Sequence, residues 1–155
     1  MSDGEHIKLI CKNRKAWFNF EIDDSFEAGV VLTGPEVKSL RAGKANLGDA
    51  YAKIKSGEIF LIDAHISPYD KTRTQDQDPV RDRKLLMHKR EIKKLTGKAF
   101  EKGFSIVPLR MYFKNGKVKV ELALAKGKKA YDKRESIRKK DQRREMERLV
   151  KFRQR

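Results

Sequence analysis

The sequence predicts a mainly β protein: a small antiparallel barrel of the oligonucleotide-binding type, two or three short flanking helices, and a basic C-terminal tail. Three observations predict it. Six or seven short β-prone stretches over residues 6–125 are separated by glycine, proline and asparagine turns. Asn115-Gly116, the strongest short hairpin signal, joins two of them. After Lys126 the apolar alternation stops and lysine and arginine take over. Barrels of this type are partly open Greek keys that bind oligonucleotides on one face.

Taken in order, residues 6–12 and 16–22 read as strands split by Asn13-Arg14-Lys15, and residues 29–32 as a third. Thr33-Gly34-Pro35-Glu36 reads as a helix start. Thr33 caps, Pro35 sits in the first turn where its missing N–H costs nothing, and Glu36 lies three residues after the cap. Val37 and Leu40 give this helix a short apolar face, and Gly43 stops it. Leu47 to Ile54 reads as a strand, Ser56-Gly57 as a turn, and Glu58 to Ile66 as the returning strand. Pro68 to Gln77 is polar and reads as a mobile loop. Asp78-Pro79 repeats the cap-then-proline pattern and predicts a helix there. Ile92, Leu95, Ala99 and Phe100 recur at helical spacing between His88 and Lys102, and Gly103 ends that helix. Phe104 to Phe113 is apolar on both faces and predicts a central strand. From Lys117 to Ala125, Val118, Val120, Leu122 and Leu124 point one way; Lys117, Lys119, Glu121 and two alanines point the other.

The chain divides by charge into a body, residues 1–126, and a tail, residues 127–155. The whole carries a net charge of +16, and half of that excess lies in the tail. The tail favours helix by propensity, but nothing large and apolar separates Ile137 from Met146. It is expected to be disordered or frayed alone and helical against a partner. Such charge selects polyanions, with nucleic acid first and an anionic membrane surface second. No apolar run approaches the roughly 18–20 residues that span a bilayer, and the first ten residues do not resemble a secretory signal. A lone cysteine, Cys11, fits a reducing cytoplasm and inert packing.

No catalytic constellation stands out. His6, His65 and His88 lack metal-ligand spacing, and Ser25, Ser39 and Ser56 lack an acid–base partner pattern. There is no phosphate-cradling glycine loop, so no cofactor is expected. Asp76, Asp78 and Asp82 crowd one junction, where a cap and a solvated loop explain them better than a divalent ion. Basic residues carry more information. Lys38, Arg41 and Lys44 gather at the end of the first predicted helix beside Asn46, and Lys117 and Lys119 lie on a barrel strand. Singly they are ordinary helix-end and surface charges; together they outline an RNA-binding face. In the tail, Tyr131 and Phe152 are available to stack on bases.

Long ordered strings extend this reading: Phe26 to Asn46 (FEAGVVLTGPEVKSLRAGKAN), His65-Ile66-Ser67-Pro68-Tyr69, Asp78-Pro79 with Arg83-Lys84-Leu85-Leu86, Tyr112-Phe113-Lys114-Asn115-Gly116, and Leu124 to Lys129 leading into Tyr131-Asp132-Lys133-Arg134. Through them the chain resembles the small protein B family, the SsrA-binding proteins of bacterial trans-translation, over nearly its whole length. The resemblance implies a non-enzymatic, cytoplasmic and monomeric adaptor. Its body would bind the tRNA-like domain of transfer-messenger RNA near the elbow. Its tail would enter the empty messenger channel of the small subunit at the decoding centre and become helical there; contacts with the large subunit and an elongation factor are compatible with that role. By position, family RNA contacts fall on Glu27, Leu86 and Lys119. Lys119 can neutralise a phosphate and Glu27 can accept from a guanine edge, whereas Leu86 reads equally as packing or as contact. Lys126, Gly127 and Lys128 match the junction and are counted among the expected RNA-binding residues. Tyr131, Asp132, Lys133 and Arg134, followed by Arg138, Lys139, Lys140, Arg143 and Arg144, form the expected ribosome-binding tail. One stretch departs: Ala16-Trp17-Phe18-Asn19-Phe20 stands where the family has Ala-Arg-His-Asp-Tyr, so a histidine contact does not carry over to Phe18. Either Trp17 or Phe18 stacks on bases instead, or the barrel edge is packed differently. The competing readings are a structural protein held on RNA by charge alone, and a metal-dependent RNA-processing enzyme using the Asp76–Asp82 cluster.

Overall fold

The computed structural model describes residues 6–70, 77–101, 103–128 and 130–153. Nine strands and four helices follow one another there: β1 (Ile7–Lys12), α1 (Arg14–Asn19), β2 (Phe20–Val30), α2 (Gly34–Arg41), β3 (Ala45–Asn46), β4 (Tyr51–Lys55), β5 (Glu58–Ile62), β6 (His65–Ile66), β7 (Arg83–Leu86), α3 (Lys89–Ala99), β8 (Phe104–Lys114), β9 (Lys117–Gly127) and α4 (Ala130–Arg153). Every strand pairing is antiparallel. The main sheet runs β1-β8-β4-β5-β7-β2-β9, and an additional β8–β9 pairing closes it into a barrel. Closure removes the exposed edges that an open sheet would leave. The seam between β4 and β8 is thin, with Ala52 opposite Ile106 as its one register pair.

Alternation along the strands builds the interior. Val118, Val120, Leu122 and Leu124 of β9 meet Ile59 and Leu61 of β5, Leu85 of β7 and Met111 of β8 in one buried cluster, which Leu40 of α2 and Ile92 and Leu95 of α3 cap. A second, smaller cluster lies outside the barrel wall. There Ala16 of α1 covers Val107, Leu109, Ala123 and Ala125. The two alanines predicted to face away from the core do so, and a helix covers them.

Turn chemistry behaves as the residues dictate. Ser56-Gly57 and Asn115-Gly116 each place both residues at positive φ (52° and 76°; 50° and 80°), the signature of a tight hairpin whose twist matches its strands. Gly43 (φ 72°) takes the left-handed conformation just after α2; Gly103 (φ 93°) does so three residues past Phe100, the C-cap of α3, so that helix ends before the glycine expected to stop it. Helix α2 begins with the expected capping box: Glu36 N–H donates to Thr33 Oγ1 at 3.4 Å, and Thr33 N–H donates to Glu36 Oε1 at 2.9 Å.

Four expectations are corrected. Residues 16–22 are not one strand, because Arg14–Asn19 form a helix. Asn13 starts it: its Oδ1 accepts from Ala16 N–H at 3.2 Å while its Nδ2 donates to the Pro108 carbonyl at 2.8 Å. Residues 29–32 are not a separate strand; β2 runs unbroken from Phe20 to Val30. Asp78-Pro79 opens a turn instead of a helix. Asp78 Oδ1 accepts from Val80 N–H at 3.0 Å, and the chain enters β7 with Arg83 and Leu85 inward and Lys84 and Leu86 outward. The period-2 burial of Arg83-Lys84-Leu85-Leu86 between β5 and β2 overrides the local cap signal. Finally, the strand returning from Glu58 breaks at Asp63 (φ 57°) into β5 and β6. The centre of the predicted loop, residues 71–76 with Asp76, lies outside the described residues; its base is pinned by Tyr69 N–H donating to Gln77 Oε1 at 2.8 Å.

Candidate nucleic-acid interface

The outer face of the barrel carries a row of residues from four strands. Gly29 of β2 lies opposite Leu86 of β7 on one side and Lys119 of β9 on the other, and Lys119 lies opposite Tyr112 of β8. Glu27, two residues before Gly29, emerges on the same face. Glu27, Leu86 and Lys119 are far apart in sequence, and the register brings them together. Leu86 is 54% exposed, so of its two readings packing in the core is excluded. Gly29 provides the close approach: a Cβ there would meet Leu86 Cβ at 3.4 Å and Lys119 Nζ at 3.7 Å. Beside this row Val30, Leu32, Val37, Gly116 and Lys117 complete a shallow depression of about 380 Å³.

Glu27 is held, not free. Tyr112 Oη donates to its Oε2 at 2.5 Å, and Lys114 Nζ stands at 3.3 Å from the same oxygen and 3.4 Å from Oε1. The tyrosine hydrogen bond, with help from Lys114 and the charge of Lys119, draws the Glu27 carboxyl below its ordinary range against the opposing effect of burial. Burial and the Glu27 carboxylate together push the Tyr112 phenol upward, so it stays a donor. Tyr112 faces outward yet is only 2% exposed; the Arg110 guanidinium, paired with Glu121, lies over its ring at 4.8 Å. Sequence reasoning missed Tyr112. Its signal was the out-facing parity it shares with Lys114 on a strand read as apolar on both faces.

A second basic group lies around the end of α2. Lys38, Arg41 and Lys44 line a cleft of about 580 Å³ with Pro68, Tyr69 and Asp70. Lys38 Nζ sits 5.4 Å from the centre of the Tyr69 ring, and Lys44 Nζ lies 4.0 Å from Asp70. Asn46 does not join them there. Its Oδ1 accepts from Gly48 N–H at 2.8 Å, shaping the loop into β4. Helix α2 thus borders both places, with Val37 toward the Leu86 depression and Lys38 and Arg41 toward the Tyr69 cleft.

What fixes α2 is a buried ion pair that the sequence reading took for a cap alone. Glu36 Oε2 accepts from Arg83 Nε at 2.6 Å and its Oε1 from Arg81 at 2.5 Å. Arg83 is fully buried, and its other donors reach the carbonyls of Ala64 (2.7 Å) and Pro79 (3.1 Å). Burial alone would raise the Glu36 carboxyl; Arg81, the Thr33 backbone N–H and Arg83 outweigh it and hold the group below its ordinary value of 4.5.

The junction and tail occupy the far end of β9. Lys119 and Gly127 are eight positions apart on that strand, roughly 26 Å at ~3.3 Å per residue. Lys126 Nζ lies 5.8 Å from the centre of the Phe104 ring. Lys128 ties the tail root to α1: its N–H donates to the Asn19 carbonyl at 2.9 Å, and its Nζ reaches the Trp17 carbonyl at 3.2 Å and Ser136 Oγ at 3.0 Å. Trp17 (55%) and Phe18 (37%) are exposed, and Trp17 borders a cleft with Lys12, Arg14 and Arg110. Tyr131, Asp132, Lys133 and Arg134 fall in the first turns of α4. Arg138, Lys139, Lys140, Arg143 and Arg144 are all exposed along it. At 3.6 residues per turn these five spread over more than half of the helix circumference, so α4 presents a charged cylinder without a buried stripe.

Among the described residues no group of three or more His, Cys, Asp or Glu is placed to hold a metal ion, and no helix is long and apolar enough to cross a membrane. Burial raises the Cys11 thiol to about 11, which keeps it protonated and inert near neutral pH.

Comparison with known proteins agrees with this geometry. The family model described as SmpB protein matches residues 10–152. A protein named SsrA-binding protein from Geobacter metallireducens is 65% identical over 139 residues, covering 90% of this chain and 91% of its own. Another of that name from Syntrophobacter fumaroxidans is 56% identical over 152 residues, covering 98% and 94%. Among solved structures, a chain from one described as "tmRNA-SmpB: a journey to the center of the bacterial ribosome" is 46% identical, with a TM-score of 0.68, covering 83% of this chain and 94% of that one. By the span of the family match and the identity to these relatives, the chain belongs to the SmpB family.

Proposed function

We propose that this chain is a cytoplasmic, non-enzymatic RNA-binding adaptor that carries transfer-messenger RNA to stalled ribosomes. The barrel face around Gly29 engages the tRNA-like domain: Lys119 takes a phosphate, Leu86 covers an apolar part of the fold, and Glu27 accepts from a base edge while rejecting misplaced phosphates. Lys38, Arg41 and Lys44 extend the electrostatic footprint along the cleft beside Tyr69, and Asn46 acts by shaping the loop beyond them. Residues 127–155 form the second functional unit. Free of the ribosome, α4 has no buried stripe to hold it and frays beyond the Lys128 anchor. In the empty messenger channel its charged cylinder meets rRNA phosphate on most sides and is ordered by it, with Lys133, Arg134, Arg138, Lys139, Lys140, Arg143 and Arg144 as the principal contacts and Tyr131 and Asp132 at the entry.

The observation that carries this reading is the separation of two basic surfaces by the length of β9, one built on barrel register and the other on a helix projecting from its far end. A protein held on RNA by charge alone needs neither the separation nor the anchored carboxylate of Glu27. The test is affinity at fixed salt for the tRNA-like domain of transfer-messenger RNA against ordinary tRNA. Strong preference for the former is expected; equal, weak binding to both would overturn the proposal.

A further inference from the structure

We infer that Tyr112 is a positioning residue for RNA recognition: it sets the direction of the Glu27 carboxylate and so contributes to specificity without touching RNA. The inference rests on the function proposed above and adds a residue to it. Tyr112 is an out-facing side chain on a barrel wall, where a phenol is ordinarily solvated, yet it is 2% exposed. The Arg110 guanidinium lies over its ring, and its hydroxyl ends on Glu27 Oε2. Its ring is therefore fixed, and its one donor has one acceptor. Lys114 reaches both oxygens of the same carboxylate at longer range. Between them, Tyr112 and Lys114 hold Oε2 firmly, while Oε1 takes only the longer contact from Lys114, on the face that Lys119 shares. A carboxylate on a free side chain would rotate, collapse onto Lys119 and neutralise the cation meant for phosphate. The tyrosine opposes that collapse by tying the carboxylate to two side chains of β8, so that the anion and the cation can meet different RNA groups. Nothing RNA-facing is required of Tyr112 itself, since its ring has almost no exposed surface.

The experiment is a double-mutant cycle on the full-length chain, with a transcript of the tRNA-like domain as probe and Lys119→Ala as control. Tyr112→Phe keeps the ring and removes the donor. Binding should weaken about tenfold, the scale of one hydrogen bond to a charged group. In a Glu27→Ala background the same substitution should cost less than about twofold, because its target has gone. A purely structural tyrosine would instead lower the melting temperature and cost the same affinity in both backgrounds; that result, or wild-type binding by Tyr112→Phe, overturns the inference. If Tyr112→Phe does not fold, Lys114→Met removes the second donor from the same carboxylate and enters the cycle in its place, with the same criterion of coupling. Should Glu27→Ala bind normally while Lys119→Ala binds poorly, the RNA face stands and the positioning role falls. Should the unaltered chain show no preference for the transcript over ordinary tRNA, the proposed function falls and this role with it.

Discussion

The barrel face around Gly29 and the helix α4 are both basic surfaces, but different physics builds them. On the barrel, Glu27, Gly29, Leu86, Tyr112 and Lys119 come from four strands and meet only because the register of β7, β2, β9 and β8 is correct. A slip of one residue would turn each of them inward. On α4 no long-range register is involved. Position along the helix and composition alone place its charges, and apart from the Lys128 anchor its described residues lie against solvent. The first surface can be specific before it meets RNA. The second, on the function proposed, takes its hold from whatever polyanion surrounds it. A protein that has to choose one RNA and then probe a groove on another particle benefits from keeping the two kinds of surface on separate ends of a strand.

The sharpest way to break this comparison is to remove one side of it. Deleting residues 128–155 should leave affinity for the tRNA-like domain within about twofold, because no barrel contact described above depends on them, and should abolish tagging on stalled ribosomes in a reconstituted translation assay. Retained tagging would show that the tail is dispensable. The deletion should also leave the melting temperature nearly unchanged, since α4 buries no apolar stripe.

The barrel side breaks through its buried charges. Arg83→Met leaves Glu36 Oε2 without its buried partner, with Arg81 and the Thr33 N–H remaining on Oε1, and losing one partner of a buried pair costs about 3–5 kcal/mol, measurable as a shift in the urea midpoint. The pH dependence follows in sign. Glu36 is held below its ordinary 4.5 in the folded protein, so its contribution to stability is complete above that value and is lost as pH falls through the depressed folded value. The stability gap between the unaltered chain and Glu36→Gln should therefore be widest near neutrality and narrow below about pH 4.5; a gap independent of pH would mean that the pair does not stabilise the fold by its charge.

These two regions also differ in how far the sequence disclosed them. The capping box at Thr33, both hairpin turns, the inward face of β9 and the helix at Ile92 and Leu95 were legible because each depends on a few neighbouring residues. The tail was legible as a charge run. What escaped were features decided by distant partners. Arg83 stood only within a family string until β7 placed it between β5 and β2 against Glu36. Asp78-Pro79 carried an honest helix-start pattern, and the burial of the strand that follows outweighed it. Asn13 looked like a turn residue because its second partner, the Pro108 carbonyl, lies 95 positions away. Of the proposed RNA face, the sequence named the cations and Glu27 but not Tyr112, since an apolar-looking strand gives no sign of which aromatic will end on a carboxylate.

Lys119→Ala tests the specific surface more gently. One lost phosphate contact should weaken binding to the tRNA-like domain and reduce the slope of log affinity against log salt by about 0.7–0.9. Substituting a single tail cation such as Arg138 should leave that slope unchanged, because the function proposed assigns this RNA to the body and not to the tail. An equal change from both would merge the two surfaces into one electrostatic field.

The smallest effect isolates the local part of the barrel side. Thr33→Ala removes the hydroxyl that accepts from Glu36 N–H and donates to Glu36 Oε1 at 3.1 Å, yet Glu36 keeps Arg81, Arg83 and the Thr33 backbone N–H. Only the cap is lost, so the cost should be about 1 kcal/mol, or roughly 2–4 °C for a chain of this size, with Thr33→Ser restoring most of it. Ser136→Ala, on α4, should move the melting temperature by less than that even though it too removes a side-chain hydrogen bond, because the helix it supports adds little burial to the fold. If the Ser136 substitution destabilised the chain as much as the Thr33 substitution does, α4 would be part of the folded body, and the contrast between a register-built face and a composition-built arm would fail at its root.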